Sequence, residues 1–450
     1  MIGKRKITMS TTQIIMLSFL VAVLIGSLLL SLPISSVGEG SVRYIDALFT
    51  ATTATCVTGL VTVTTATTWS VFGQAVILIL VQVGGLGIIT VMSGLMILIN
   101  RRMGLGQRLL VQDAFNLNTL SGLGRFVKKV MIGTFIIEGI GALLYMTVFV
   151  PEFGPRGIWI SIFNAISAFC NAGMDIIGEN SLMNYATNPI VNATSSALII
   201  LGGIGYIVWW DVIRVFGSKD MRPSLRRLTL HSKIALSSSA FLIIFGGVLI
   251  LLLEYNNPDT LGGHSFIDKL QMALFQSVTT RTAGFAAIPQ ESLTDSSSIV
   301  SMFLMVIGGS PVGTAGGIKT VTLTVLIASA VATVRGKDSV TLFNRTVAKT
   351  AVEKAATVCT MFIGIALLST LLLTVVTDAP IMDVLYETVS ATATVGLSRG
   401  LTSSLTTVGK IIIIFTMYLG RVGPISLALA LSGKPKQNLI KDPVEDISVG

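Results

Sequence analysis

The sequence has few charged residues and few residues that serve covalent or metal chemistry. Only 12% of its 450 residues are charged, whereas soluble domains carry about 25%. Three cysteines cannot build a disulfide framework, and two histidines without neighbouring cysteines leave little material for a transition-metal site. The sequence also lacks both common glycine-rich nucleotide-binding motifs. These absences argue against a cytosolic enzyme, zinc or redox chemistry and an ATP-driven motor.

What the sequence has instead is a series of long apolar segments. Hydrophobic residues make up 52% of the chain, and the mean hydropathy is +0.82. A stretch of about 20 apolar residues can cross a bilayer as a helix. The first stretch follows Lys4-Arg5-Lys6 and ends at Leu32-Pro33 without a signal-peptide cleavage pattern, so we expect it to be retained. Eight spans are predicted, at residues 14–32, 71–99, 126–150, 190–213, 234–253, 299–334, 352–376 and 410–431.

The basic residues predict how these spans are oriented. Most of the 31 lysines and arginines lie at the N-terminus, in the connections 101–129, 214–233 and 335–354, and after residue 433. By the positive-inside rule these parts are cytoplasmic, so we expect a multi-pass protein of the cell membrane with both termini in the cytoplasm. The net charge of +9 then suits anionic lipid or a cytosolic partner rather than nucleic acid.

The outer connections repeat a semi-hydrophobic pattern. Segments 42–60, 158–174, 266–285 and 381–397 are too short to span and end in small residues, which is typical of a re-entrant helix that returns as extended chain. Their closing glycines, Gly59, Gly173, Gly284 and Gly396, recur at intervals of about 112 residues, and such a period indicates internal repeats. The predicted repeats are 1–100, 101–215, 216–336 and 337–450, the last with a short cytoplasmic tail.

Four such repeats predict an all-α integral membrane protein with pseudo-fourfold symmetry around one pore. The re-entrant segments would meet at the axis, where rings of backbone carbonyls can replace the hydration shell of a cation. Glycine suits such a turn because it adopts positive φ without steric cost. The candidate filter residues are Val57, Thr58 and Gly59; Asn171, Ala172 and Gly173; Thr282, Ala283 and Gly284; and Thr394, Val395 and Gly396.

Further glycines follow each filter segment in the second span of each repeat. They occur as Gly84-Gly85-x-Gly87, Gly202-Gly203-x-Gly205, Gly308-Gly309 and Gly420-x-x-Gly423. Close helix packing explains them as well as a functional role does. In the sixth span, residues 308–317 contain five glycines and a proline, which cost about 1 and about 3 kcal/mol each in a helix interior. We therefore expect this span alone to be broken, either as a gate beneath the filter or as a static kink.

The chain resembles the membrane subunits of the Trk/Ktr/HKT superfamily of potassium transporters, most closely the bacterial Ktr type. The four glycine-terminated segments, the T-V-G of residues 394–396 and the string G-G-S-P-V-G-T-A-G-G-I-K at 308–319 carry the resemblance, which covers residues 13–423. It implies K⁺ uptake, with possible Na⁺ dependence and no covalently bound cofactor. It also implies a homodimer with one pore per subunit and a separate cytosolic ring that binds nucleotide and controls the gate.

The same resemblance assigns a gate. It consists of the intramembrane loop and an arginine, Arg421, that protrudes into the pore below the filter. We expect deletion of residues 310–315 or loss of Arg421 to raise K⁺ flux and to leave ion preference largely intact, because the filters are untouched. Arg421 can equally serve as a partner for backbone carbonyls of the broken span. The loop residues, named here the glycine-rich loop, are Gly308, Gly309, Ser310, Pro311, Val312, Gly313, Thr314, Ala315, Gly316 and Gly317.

Four further residues are polar or reactive and lie at membrane depth. Arg281 lies three residues before a filter glycine, and we expect it behind the filter, bound to carbonyls or to an outer acid. Glu138 is midway along the third span and is protonated, paired to another helix or exposed to a wet crevice. Cys56 and Cys170 occupy matching positions in adjacent repeats, where buried packing is expected rather than metal ligation.

Two other functions have to be weighed against a K⁺ pathway. An ion-coupled secondary transporter of another solute usually has two inverted repeats with broken helices in matching positions. Four repeats and a single broken span argue against it. A membrane-embedded enzyme needs a catalytic pair within the spans, and no Ser/His, paired Asp or H-E-x-x-H arrangement occurs there.

Overall fold

The computed structural model describes residues 10–38, 40–99, 104–114, 122–217 and 225–423 as an almost entirely helical protein. A short antiparallel hairpin joins β1 (Thr341–Leu342) to β2 (Arg345–Thr346). The helices are α1 (Thr11–Leu30), α2 (Tyr44–Cys56), α3 (Thr65–Thr68), α4 (Val71–Leu86), α5 (Ile88–Leu98), α6 (Leu105–Ala114), α7 (Leu123–Phe153), α8 (Arg156–Cys170), α9 (Pro189–Gly203), α10 (Tyr206–Phe216), α11 (Leu230–Glu254), α12 (Phe266–Thr279), α13 (Asp295–Val306), α14 (Thr320–Val334), α15 (Lys349–Val376), α16 (Ile381–Ala393), α17 (Leu401–Ser404) and α18 (Thr407–Val422).

Four uninterrupted helices are long and apolar enough to cross a membrane. They are α1, α7, α11 and α15, and each is the first span of one predicted repeat. Their outward faces carry large apolar side chains that the protein leaves exposed, including Leu28, Leu143, Leu252 and Leu367. Contiguous exposed apolar surface on a long helix is the surface that lipid covers.

The second spans are bent, and the expectation of a single broken span is wrong. Helix α4 meets α5 at 96°, and α9 meets α10 at 97°, so the predicted segments 71–99 and 190–213 are helix pairs. The cause is glycine: Gly87 (φ 84°, ψ 132°) and Gly205 (φ 94°, ψ 136°) adopt a backbone conformation that glycine reaches without steric cost. Gly423 has the same conformation at the end of α18. A glycine with this conformation therefore interrupts or ends the second span in three of the four repeats.

The remaining two second spans differ from these pairs. Residues 307–319 separate α13 from α14, so the predicted sixth span is interrupted by the glycine-rich loop, as expected. Helix α18 ends at Val422, and the rest of the predicted eighth span, 424–431, lies outside the described residues. The terminal basic residues Lys4, Arg5, Lys6, Lys434, Lys436 and Lys441 also lie outside them.

Short helices followed by extended chain form the outer segments, as predicted. Helices α2, α8, α12 and α16 have 13, 15, 14 and 13 residues, and each packs against the long helix that precedes it. Phe49, Phe163 and Tyr386, ten residues before the filter glycines, are fully buried. Leu274, the equivalent in the third repeat, is only half-buried and packs against Gly247.

Polar contacts hold neighbouring repeats together. The last repeat is joined to the first by an ion pair between Lys410 of α18 and Asp46 of α2, with 2.6 Å between Nζ and Oδ1 and both side chains at most 5% exposed. A charge at this depth is costly unless it is paired. The other seams carry hydrogen bonds from Trp159 Nε1 to Gln74 Oε1 (2.8 Å), from Leu182 N to Ala286 O (3.1 Å) and from Tyr386 Oη to Gln290 Oε1 (2.9 Å).

Candidate functional site

The four filter glycines form a closed ring in which each contacts the next. A Cβ on Gly59 would lie 2.5 Å from the carbonyl oxygen of Ala172, and a Cβ on Gly173 would lie 2.6 Å from that of Ala283. Gly284 faces the carbonyl of Val395 in the same way, and Gly396 faces that of Thr58, which closes the cycle. The sequence repeat thus brings all four tripeptides to one place. We call the four glycines the glycine ring.

The backbone around the glycine ring is unusual in the same way in every copy. The ring glycines have φ between 63° and 97°, and the residue that begins each tripeptide also has positive φ. These first residues are Val57, Asn171, Thr282 and Thr394, at 56°, 60°, 63° and 53°. Positive φ costs a β-branched residue on the order of 1–3 kcal/mol, so the surrounding packing must impose it. Such strain is typical of a functional segment.

The amide hydrogens of the tripeptides are turned away from the ring. The second residue of each donates to a carbonyl of its own re-entrant helix: Thr58 to Thr53 (2.8 Å), Ala172 to Ser167 (2.8 Å), Ala283 to Thr279 (2.9 Å) and Val395 to Ser390 (2.8 Å). In two copies a helix hydroxyl also accepts from the ring glycine, Thr53 from Gly59 and Ser390 from Gly396. The groups left available at the ring are carbonyl oxygens, which are ligands for a dehydrated monovalent cation.

The glycine ring forms the floor of a cavity of about 360 Å³. The side chains that line it include the acids Asp175, Glu179 and Glu291, and among the described residues no lysine or arginine lines it. Burial raises the pKa of Asp175 to about 6, although hydrogen bonds from Ser181 and two backbone amides act to lower it. The cavity is therefore negatively charged and attracts cations.

The glycine-rich loop lies against the break between α9 and α10. Its base is closed by hydrogen bonds from Gly308 N to Ile318 O and from Ile318 N to Val306 O, both 3.0 Å. Ser310 N donates to Gly203 O (2.8 Å). Thr314 N donates to Gly202 O, and Val312 O accepts from Tyr206 N. The freed backbone groups of the loop are thus satisfied by protein, as burial at membrane depth requires.

The same loop touches the filter directly. Thr314 Oγ1 lies 2.8 Å from Asn171 Oδ1 and 3.0 Å from Phe169 O, and Gly316 N donates to Thr282 Oγ1 (3.0 Å). Asn171 and Thr282 are the first residues of two predicted filter tripeptides. The expectation that a change in the loop leaves the filters untouched is therefore wrong, because Thr314 and Gly316 of the loop are in hydrogen-bond contact with both residues.

Arg421 ties the loop to two other repeats. Its guanidinium donates to the carbonyl oxygens of Thr314 and of Gly84, both at 2.6 Å. The expected reach of this arginine to loop carbonyls is confirmed. A cavity of about 210 Å³ lies beside it and is lined by Gly84, Gly87 and Gly313, among others.

The other residues singled out in the sequence are buried. Arg281 donates to Ser239 Oγ (3.0 Å) and to Gly308 O (3.4 Å), so its expected bond to a carbonyl is confirmed. Glu138 accepts a hydrogen bond from Gln82 of α4 (3.2 Å), so it is paired to another helix. Cys56 and Cys170 are free thiols and buried.

Sequence reasoning missed Lys319 and Asp175 as members of the site. The ammonium of Lys319 donates to the carbonyl oxygen of Ala315 and so adds a second cation beside the loop. Its position directly after the glycine-rich string is the signal that could have indicated it. Asp175 lies two residues after a ring glycine, so its place at the entrance follows once the ring is known.

Known proteins match this chain over nearly its whole length. The family model described as TrkH, cation transport protein, matches residues 4–441. The chain is 38% identical to the potassium/sodium uptake protein NtpJ of Enterococcus hirae, over 98% of both chains. It is 39% identical to the Ktr system potassium uptake protein B of Bacillus subtilis, over 97% of this chain and 96% of the relative.

A solved structure supports the same relationship at the level of the fold. The crystal structure of the potassium transporter TrkH from Vibrio parahaemolyticus superposes with a TM-score of 0.76 at 15% identity, covering 95% of this chain and 86% of that one. The related proteins are transporters, so this chain is a multi-pass membrane transport protein and not an enzyme. The chain belongs to the TrkH family of cation transport proteins.

Proposed function

We propose that this protein takes up K⁺ through a channel-like pore whose filter is the four tripeptides 57–59, 171–173, 282–284 and 394–396. The observation that carries the proposal is the glycine ring, in which four equivalent backbone turns meet with their amide hydrogens directed away. Carbonyl oxygens there would replace the water ligands of K⁺. The names of two relatives, a potassium uptake protein and a potassium/sodium uptake protein, support K⁺ as the transported ion and a role for Na⁺.

The driving force in this proposal is the electrochemical gradient. A membrane potential supplies about 2.3 kcal/mol per charge per 100 mV, enough to concentrate a monovalent cation about fiftyfold. The acids of the outer cavity raise the local cation concentration at the entrance. Neither a bound cofactor nor a covalent step is needed.

The finer architecture belongs to the same proposal. Eight spans and four re-entrant helices surround the pore with pseudo-fourfold symmetry, in repeats 1–100, 101–215, 216–336 and 337–450, with both termini cytoplasmic. Four uninterrupted spans, one at the start of each repeat, and the cyclic contacts of the glycine ring support it. The recurring glycine breaks at Gly87, Gly205 and Gly423 support a common origin for the second spans.

The gate in the proposal is the glycine-rich loop held by Arg421. Hydrogen-bond contacts between the loop and the first residues of two tripeptides support a closed state in which the loop obstructs the path. A guanidinium at that level also repels K⁺. Opening requires the loop to leave Arg421 and the filter residues.

The proposal that the gate is controlled from the cytosol is supported by the names of related proteins. Several are named as proteins of a Ktr system, and the name implies a further component. We propose that this component is a nucleotide-binding ring and that the membrane subunit is a homodimer. The chain alone should then show K⁺ flux that ATP and ADP do not change, and addition of the ring should confer dependence on nucleotide. Nucleotide-sensitive flux from the isolated chain would contradict this assignment.

Ion flux in liposomes tests the proposed function against coupled transport. Purified protein is reconstituted, and K⁺ uptake is measured at a set potential with and without gradients of Na⁺, protons and an organic solute. The bent helix pairs are also a feature of coupled transporters, so this control matters. A passive pore predicts K⁺ entry that follows the K⁺ gradient alone. Entry that stops when a second gradient is removed would favour the coupled transporter.

A further inference from the structure

The first residues of three filter tripeptides offer side-chain oxygens at equivalent positions. These are Asn171, Thr282 and Thr394, which share a left-handed backbone conformation and are fully buried. In the first repeat Val57 supplies no oxygen. Amide and hydroxyl oxygens are hard ligands suited to alkali cations, so this level can hold a monovalent cation next to the carbonyl ring.

The glycine-rich loop makes hydrogen-bond contact with two of these three oxygens. Thr314 Oγ1 lies 2.8 Å from Asn171 Oδ1 and 3.0 Å from Phe169 O, and Gly316 N donates to Thr282 Oγ1 at 3.0 Å. The third, Thr394 Oγ1, has no hydrogen-bond partner among the described residues. Gly316 packs directly against it, and a Cβ at position 316 would collide with it. One short stretch of the loop therefore contacts all three oxygens.

Thr314 also connects these oxygens to the positive charge of Arg421. Its hydroxyl binds the filter residue Asn171, and its carbonyl oxygen accepts a hydrogen bond from Arg421 at 2.6 Å. The closed loop thus gives these oxygens hydrogen-bond donors and a nearby guanidinium charge, which are the partners that a bound cation would replace. A bound K⁺ would have to displace both.

We propose that the glycine-rich loop and a dehydrated monovalent cation compete for the side-chain oxygens of Asn171, Thr282 and Thr394. The inference rests on the proposed function, because it places this site at the inner end of the filter. Since linkage is reciprocal, K⁺ at the site weakens the hold of the loop, and the loop lowers the affinity for K⁺. The filter and the gate then respond to each other without a further messenger.

Binding of KCl to the purified full-length chain tests the competition. We compare Thr314→Val, which removes the donor at constant size, with Thr314→Ser, which retains a hydroxyl. Thr324→Val is the matched control, because the Thr324 hydroxyl bonds only to Thr320 O of its own helix α14. Calorimetric titration in choline chloride buffer should give K⁺ affinity about fivefold higher in Thr314→Val, the effect of one neutral hydrogen bond. Unchanged or weaker affinity would overturn the proposal.

A second measurement uses the unmodified protein and does not depend on the variant folding. Hydrogen exchange of the peptide containing residues 312–317 is followed in KCl and in choline chloride. Competition predicts faster exchange in KCl, because the Gly316 amide loses its acceptor on Thr282. Equal or slower exchange refutes it. If the unmodified chain neither binds nor conducts K⁺, the proposed function fails instead, so the two failures are distinguishable.

Discussion

The glycine ring and the glycine-rich loop lie next to each other but differ in how many repeats contribute to them. The ring takes one glycine from each of four repeats, all with positive φ and all facing the carbonyl of the next copy. The loop comes from the third repeat alone and makes contacts that no other copy makes in the described residues. Repetition therefore produces the ring, to which all four repeats contribute alike, whereas a departure from repetition in the third repeat produces the loop next to it.

The two regions also differ in how they are held. In the ring, each strained turn is secured by hydrogen bonds to the re-entrant helix of its own repeat. The loop is held largely by other repeats, through hydrogen bonds to Gly202, Gly203 and Tyr206 of the second repeat and to Arg421 of the fourth. In the proposed function this difference lets the gate move while the filter stays in place. The predictions below are ordered by the size of the expected effect.

The largest effect is expected at Arg421. Arg421→Ala removes two charge-assisted hydrogen bonds, of which the one to Thr314 O holds the loop and is worth about 2 kcal/mol. The closed loop loses this restraint, so K⁺ flux through the chain without its partner should rise about thirtyfold. Uptake of a K⁺ tracer into proteoliposomes measures it.

Arg335→Ala is the control for that variant, because Arg335 lies exposed at the end of α14. It should leave flux unchanged. Loss of flux in a correctly folded Arg421→Ala protein would show that this arginine serves ion selection or folding and does not hold the loop closed. The comparison between a movable loop and a fixed ring would then fail.

A smaller effect is expected in the glycine ring. Gly59→Ser puts a Cβ at φ 97°, 2.5 Å from the carbonyl oxygen of Ala172, so the ring has to shift. The strain is on the order of 1–3 kcal/mol, and the preference for K⁺ over Na⁺ should fall about tenfold. Reversal potentials under biionic conditions measure it.

Gly38→Ser is the control variant that distinguishes distortion of the glycine ring from the backbone strain of any serine at positive φ. Gly38 also has positive φ, 109°, but nothing lies within 4 Å of its Cβ position. The preference for K⁺ should survive this change. Equal loss of preference in both variants would show that the ring contacts do not determine selection.

The smallest effect concerns the entrance to the ring. With its pKa raised to about 6 by burial, Asp175 is charged at pH 7.5 and protonated at pH 5. Acidification of the outer side removes a negative charge from the cavity, so K⁺ uptake at low ionic strength should fall about twofold. The Asp175→Asn variant should start at the lower rate and lose this part of the pH dependence. An unaltered pH profile in the variant would exclude Asp175 as the group responsible.

The sequence was informative where the architecture repeats. The spacing of Gly59, Gly173, Gly284 and Gly396 predicted four equivalent turns, because each copy needs the same backbone conformation at the same place. The break in the sixth span followed from local glycine and proline content. The bends at Gly87 and Gly205 did not, since glycines inside an apolar run fit close packing of a straight helix as well as a sharp turn.

Contacts between segments that are distant in the sequence could not be predicted from sequence patterns. The hydrogen bond from Thr314 to Asn171 joins residues 143 positions apart and depends on how two repeats are placed against each other. The ion pair of Lys410 with Asp46 spans 364 positions for the same reason. Propensity and periodicity describe each segment alone, whereas these bonds exist only once the ring has closed.

Competition between K⁺ and Na⁺ for entry tests the central claim most directly. The purified chain is reconstituted into liposomes, and entry of each ion is measured at one potential, separately and as a mixture. An intact carbonyl ring predicts that K⁺ enters faster than Na⁺ and that the Gly59→Ser variant loses much of this difference while Gly38→Ser retains it. Equal entry of K⁺ and Na⁺ through the unmodified chain would contradict the claim that the four tripeptides form a potassium filter.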